Sequence, residues 1–163
     1  MTQIAPVNDF MLPHSILEHW QGHRRLTRRV IEAFPEEQLF AFSLGGMRSF
    51  GVMATELLTM AAPTIRGVAT GDWGAADAPD AVKPTSRAEL LRLWDESTEV
   101  MTTLWPQIPS DRFHETMKAF GQWEMRVNDL VLYVIDNEIH HRGQGYVYLR
   151  ALGIEPPAFW ERA

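Results

Sequence analysis

The run with most potential for chemistry is Asn137-Glu138-Ile139-His140-His141-Arg142-Gly143-Gln144, a polar block interrupting an apolar stretch that begins at Leu130. At about 100° per residue, a helix puts Asn137, Glu138 and His141 on the side that carries Val127, Leu130 and Val134, with His140 and Arg142 less central. Burying an imidazole beside a carboxylate is costly unless each is paired, hydrogen-bonded or bound to a metal. Both therefore need a partner. Glu56, set among Met53, Leu57 and Met60 at the edge of a second apolar stripe, offers one from another segment. His19 and His23 stand four apart on one face, a spacing that either chelates one ion or leaves His19 exposed beside a hydrogen-bonded His23.

Four helical stretches must position these groups. The first runs from about Phe10 to Phe34, with Ile16, Trp20, His23, Thr27 and Val30 inward and Pro35 ending it. Arg24, Arg25, Arg28 and Arg29 fall opposite that stripe and read as a solvated face rather than a nucleic-acid patch. The second starts after the N-cap Ser49 and reaches about Arg66. Residues 67–84, rich in Gly, Ala, Asp and Pro, read as a loop. The capping box Ser86-Arg87-Ala88-Glu89 opens a third helix that ends near Trp105. The fourth spans about Trp123 to Leu152, before Gly153 and Pro156-Pro157. Between the last two, Phe113 to Phe120 is extended or a 3₁₀ turn. The fold expected is an all-α four-helix bundle, one domain over residues 1–163, whose facing helices can assemble a site.

Composition narrows the function. With 163 residues, 45% of them hydrophobic, the chain can fill one sizeable core, and its formal charge of −6 disfavours nucleic acid. It contains no cysteine, which excludes disulfides, thiolate metal sites and a cysteine nucleophile. Any thiol chemistry needs a thiol from outside. Leu130 to Ile135 is the longest apolar run, far short of a membrane span, and Met1 to Asp9 carries no leader-like pattern. A cytoplasmic, soluble protein is the expectation.

The segment Tyr133-Val134-Ile135-Asp136-Asn137-Glu138-Ile139-His140-His141-Arg142-Gly143-Gln144, followed by Tyr148-Leu149-Arg150, Gly153 and Pro156-Pro157, closely resembles the C-terminal signature of the DinB/YfiT-like family. Arg48-Ser49-Phe50-Gly51 resembles its second landmark. The resemblance implies a metal-binding four-helix bundle of up-down-down-up topology, a homodimer, and kinship with transferases that use bacillithiol or mycothiol. It maps the family's metal triad onto Glu56, Asn137 and His141, of which only one is histidine, with Glu138 or His23 as substitute ligands. A carboxylate, an amide and one imidazole make a harder, weaker site than three imidazoles for zinc, nickel or manganese. Arg142 and Gln144 are the candidate contacts for a low-molecular-weight thiol cofactor, although Arg142 also suits an anchoring or interface role. Two readings follow: a metal-dependent thiol S-transferase or hydrolase acting on a small electrophile, or a non-catalytic stress-response or ligand-binding protein with a degenerate triad.

Overall fold

The computed structural model describes residues 12–74 and 82–163. Four long helices dominate it: α1 (Pro13–Ala33), α3 (Phe50–Thr70), α4 (Arg87–Leu104) and α5 (Val127–Ala151), with a single-turn α2 (Glu36–Leu39) after Pro35. Helix α1 starts on proline, whose missing N–H costs nothing in the first turn. Ser86 Oγ accepts the Glu89 N–H at 3.2 Å to open α4, while the Glu89 carboxylate accepts the Thr85 N–H at 3.0 Å. Ser49 precedes α3, but its hydroxyl makes no capping bond. No helix among the described residues is long and apolar enough to cross a membrane.

Helix α3 runs on past Arg66 to Thr70, where left-handed Gly71 (φ +79°) donates to Gly67 O and closes it. The loop therefore begins at Gly71; the expected start of α1 at Phe10 and the stretch 75–81 lie outside the described residues. The all-α expectation needs one correction. Two 3₁₀ turns, Trp105–Gln107 and Ser110–His114, lead into an antiparallel hairpin of β1 (Thr116–Ala119) and β2 (Trp123–Arg126), paired Thr116 to Arg126 and Ala119 to Trp123. Phe120 and Gly121 both take positive φ at its tip. Helix α5 thus begins at Val127 rather than Trp123, because residues 123–126 satisfy their backbone across the hairpin.

Packing divides the interior into two apolar halves. One gathers Trp20, Ile65, Met101, Trp105, Val127 and Val131; the other holds Phe34, Phe50, Leu57, Trp94 and Tyr148. Between these halves α1, α4 and α5 carry a buried polar layer, with His23, Arg24 and Thr27 on α1, Ser97 on α4 and Glu138, His141 and Arg142 on α5, while half-buried Glu56 of α3 stands beside Leu57 of the second half. Arg24 was expected on a solvated face and is instead 1% exposed, its guanidinium stacked 4.0 Å over the Trp94 ring and bonded to Thr98 Oγ1 and Trp94 O. Arg142, expected off-centre, is buried as well. Arg25 remains exposed, and Arg28 pairs with Asp95 and Glu32.

Helices α3 and α5 touch where Gly145 faces the Phe50 ring: a Cβ there would lie 2.6 Å from Phe50 Cε2. Gly145→Ala should force that ring or the helix to move and lower stability by about 1–3 kcal/mol. The urea midpoint measures it; an unchanged midpoint would mean that the contact is loose.

Candidate functional site

Glu56 on α3 meets Asn137 and His141, one turn apart on α5. Glu56 Oε1 lies 3.3 Å from His141 Nε2 and accepts from Asn137 Nδ2 at 3.3 Å, and the same amide nitrogen reaches Met60 Sδ at 3.2 Å. Arg48, in the segment before α3, pairs with the other carboxylate oxygen, Oε2. Burial pushes the Glu56 carboxyl up, but hydrogen bonds from Arg48 and Asn137 and the charges of Arg48 and His141 outweigh it and hold it below the ordinary carboxylate range. The anion is the stable form. Gln144 Oε1 sits 2.7 Å from His141 Nδ1, and its amide nitrogen contacts Met47 Sδ. Because Oε1 only accepts, Nδ1 carries the hydrogen, and Nε2 points toward the anionic Oε1 of Glu56. A proton or a metal ion between them would satisfy both acceptors.

The 3.3 Å between Glu56 Oε1 and His141 Nε2 suits ligands that each stand about 2.0–2.2 Å from a shared ion, and an imidazole whose second N–H is held by an acceptor is the usual arrangement for a ligating histidine. One anionic oxygen and one imidazole fit a borderline divalent ion, whereas the Asn137 atom facing Glu56 is the donor Nδ2, so that amide would join only through its oxygen. Among the described residues, no group of three or more His, Asp or Glu side chains is placed to hold a metal ion.

The other expected residues lie elsewhere. Glu138 does not join Glu56; it faces α1, where Oε1 accepts from Thr27 Oγ1 at 2.7 Å and Oε2 from Trp20 Nε1 at 3.1 Å, with Arg24 Nη1 at 3.9 Å. Arg142 shares that face and donates to His23 O, Thr27 Oγ1 and, at 2.9 Å, His23 Nδ1. It is thus an anchor within the bundle, away from the Glu56 cluster. His23 is not a substitute ligand either. Arginine only donates, so Nδ1 accepts from Arg142, while Nε2 lies 3.1 Å from His19 Nε2 and 3.3 Å from Arg162 Nη1, a second guanidinium donor. Burial first, then the charges of Arg142, Arg162 and His19, lower its pKa to about 3. A metal ion would meet the same two guanidinium groups. Gln144 orients His141 from the same cluster.

Sequence reasoning missed Arg48 as a member of the site and Met60 as its neighbour. Arg48 precedes the helix, where periodicity has no reach, and Met60 read as core filler.

The DinB family model matches residues 6–163. The chain belongs to the DinB family. Crystal structures of two DinB-like proteins share its fold: one from Bacillus subtilis, 22% identical over 91% of this chain and 99% of that one (TM-score 0.71), and one from Bacillus cereus, 20% identical over 89% and 95% (TM-score 0.71). No match was found among curated proteins. In this DinB-family chain the bundle presents two polar sets on one helix, an ionic anchor toward α1 and the Glu56 cluster toward α3.

Glu138→Ala should cost about 3–5 kcal/mol in urea unfolding, because it strands Arg24 and Arg142 in the interior, whereas Glu96→Ala, at an exposed pair, should cost under about 1 kcal/mol. Similar losses for the two would refute the anchor. His23 supplies a pH test. Its native pKa lies below the unfolded value, so between about pH 6.5 and 3 the unfolded chain binds the extra proton and stability falls on acidification, by at most about 1.4 kcal/mol per pH unit. His23→Asn should flatten that slope relative to wild type.

Proposed function

We propose that Glu56 Oε1 and His141 Nε2, joined by Asn137 Oδ1 once its amide turns, hold a divalent cation, and that this DinB-family chain is a metal-dependent thiol S-transferase or hydrolase acting on a small electrophile. The observation that carries the reading is the pair of acceptors, imidazole nitrogen and carboxylate oxygen, facing each other across 3.3 Å. A bound ion would supply acidity, lowering the pKa of a coordinated thiol or water. The chain's own part is positional: Gln144 fixes the ring of His141, and Arg48 keeps Glu56 ionised. Because the chain has no cysteine, the nucleophile in the transfer version is a low-molecular-weight thiol of the bacillithiol class. Arg142 is committed to α1, so among the two expected thiol contacts Gln144 alone borders the cluster.

The antiparallel pairings Gln21 with Thr102 and Arg28 with Asp95, and Phe50 with Gly145 and Met60 with Asn137, together with the parallel run of Trp20 to Glu138 and His23 to Arg142, favour the up-down-down-up order within this proposal. Leu132, Ile139 and Val147, left exposed on α5, favour the homodimer.

A second reading rests on Arg48. Its guanidinium on Oε2 and a proton on His141 Nε2 together neutralise Glu56 with no ion, as in a ligand-binding protein whose triad has degenerated. Elemental analysis of protein purified without an affinity tag, with zinc, nickel and manganese titrations and a bacillithiol-conjugation assay, separates the two. The enzyme reading expects about one ion per chain, lost in Glu56→Gln and His141→Ala; neither ion nor turnover would leave the ligand-binding reading. Glu56→His combined with Asn137→His, a three-imidazole set, should tighten zinc or nickel binding at least about tenfold by calorimetry. Unchanged affinity would show that these positions do not close on one ion.

A further inference from the structure

A cavity of about 950 Å³ lies between α3, α5, the hairpin and the chain just after α3. Buried Leu58, Leu130 and Val134 line it, together with the rings of Trp73, Phe120 and Trp123. It abuts the polar cluster through Met60, which lines the cavity and contacts Asn137. A space of this size with mostly apolar walls matches a small-molecule site.

Two further features point to an occupant. Phe120 adopts φ +52°, a left-handed conformation costly for an aromatic residue, and its ring packs 5.3 Å from Trp73 and 6.2 Å from Trp123. The backbone is strained where it delivers a ring to the cavity. Gly67 permits the Trp73 wall, since a Cβ there would sit 2.1 Å from the indole. The charged lining residues are exposed Arg66, Asp72 and Glu124, an excess of one negative charge that disfavours anions.

We propose that this cavity binds an uncharged aromatic molecule, its rings against Trp73 and Phe120. The site shares only Met60 with the polar cluster and needs no ion there. Prodan, an uncharged naphthyl ketone whose emission shifts to the blue in apolar surroundings, is a direct probe. Wild type should bind it saturably, one per chain, and equally well with EDTA present. Phe120→Gly relaxes the backbone and removes the ring, so it should keep the helical circular dichroism and lose Prodan affinity about tenfold or more. No saturable blue shift, or wild-type affinity in that folded variant, would overturn the proposal. Naphthalenesulfonate binding as tightly as Prodan would overturn the uncharged class, and loss of Prodan binding in EDTA would overturn independence from an ion.

Discussion

The carboxylate of Glu138 is the constraint on which the bundle depends. It is buried in the polar layer between two apolar halves, and everything around it follows from the need to compensate one anion away from water. Trp20 and Thr27 supply hydrogen bonds, Arg24 and Arg142 supply charge, and Arg24 carries the link onward to Trp94 and Thr98 of α4. Apolar side chains tolerate sliding by a turn at modest cost. A buried ion and its donors do not, so the layer sets the relative height of α1, α4 and α5.

That constraint also places the candidate site. Asn137 and His141 follow the same i, i+4 spacing as Glu138 and Arg142 but are offset by one residue, or about 100° around the helix. One stretch of α5 therefore anchors to α1 with one set and presents the other to Glu56 on α3. Groups held by long packed helices are positioned more tightly than groups on loops, and Gln144 adds a bond that fixes the ring of His141. Arg48 reaches the cluster from outside the helices, with the Tyr148 hydroxyl holding its carbonyl at 2.9 Å.

Next to this polar cluster the groove changes character within one turn of α3. Glu56 takes part in a charged network, while Met60 and Leu58 turn toward an aromatic-walled cavity. A charged network and an aromatic-walled cavity thus sit side by side on α3 and α5.

Much was legible in the sequence, because periodicity and stop signals are local. The four long helices, the capping residues Ser86 and Glu89, the inward face of Asn137 and His141, and the need of Glu138 for compensation follow from spacing and desolvation, whereas the set of Glu56 with Asn137 and His141 came from the family resemblance. What tertiary structure decided is which neighbour answers each need. Glu138 and His23 could serve a metal or an ion network on spacing alone; the approach of α1 to α5 put guanidinium groups against both. Arg24 looked like surface until Trp94 of α4 covered it. Residues 123–126 continued a helical pattern until β1 offered hydrogen bonds, and Arg48, Trp73 and Phe120 joined the site and the cavity from turns that no helical period describes. In each case the side chain's chemistry was present in the sequence, and its partner came from a segment distant along the chain.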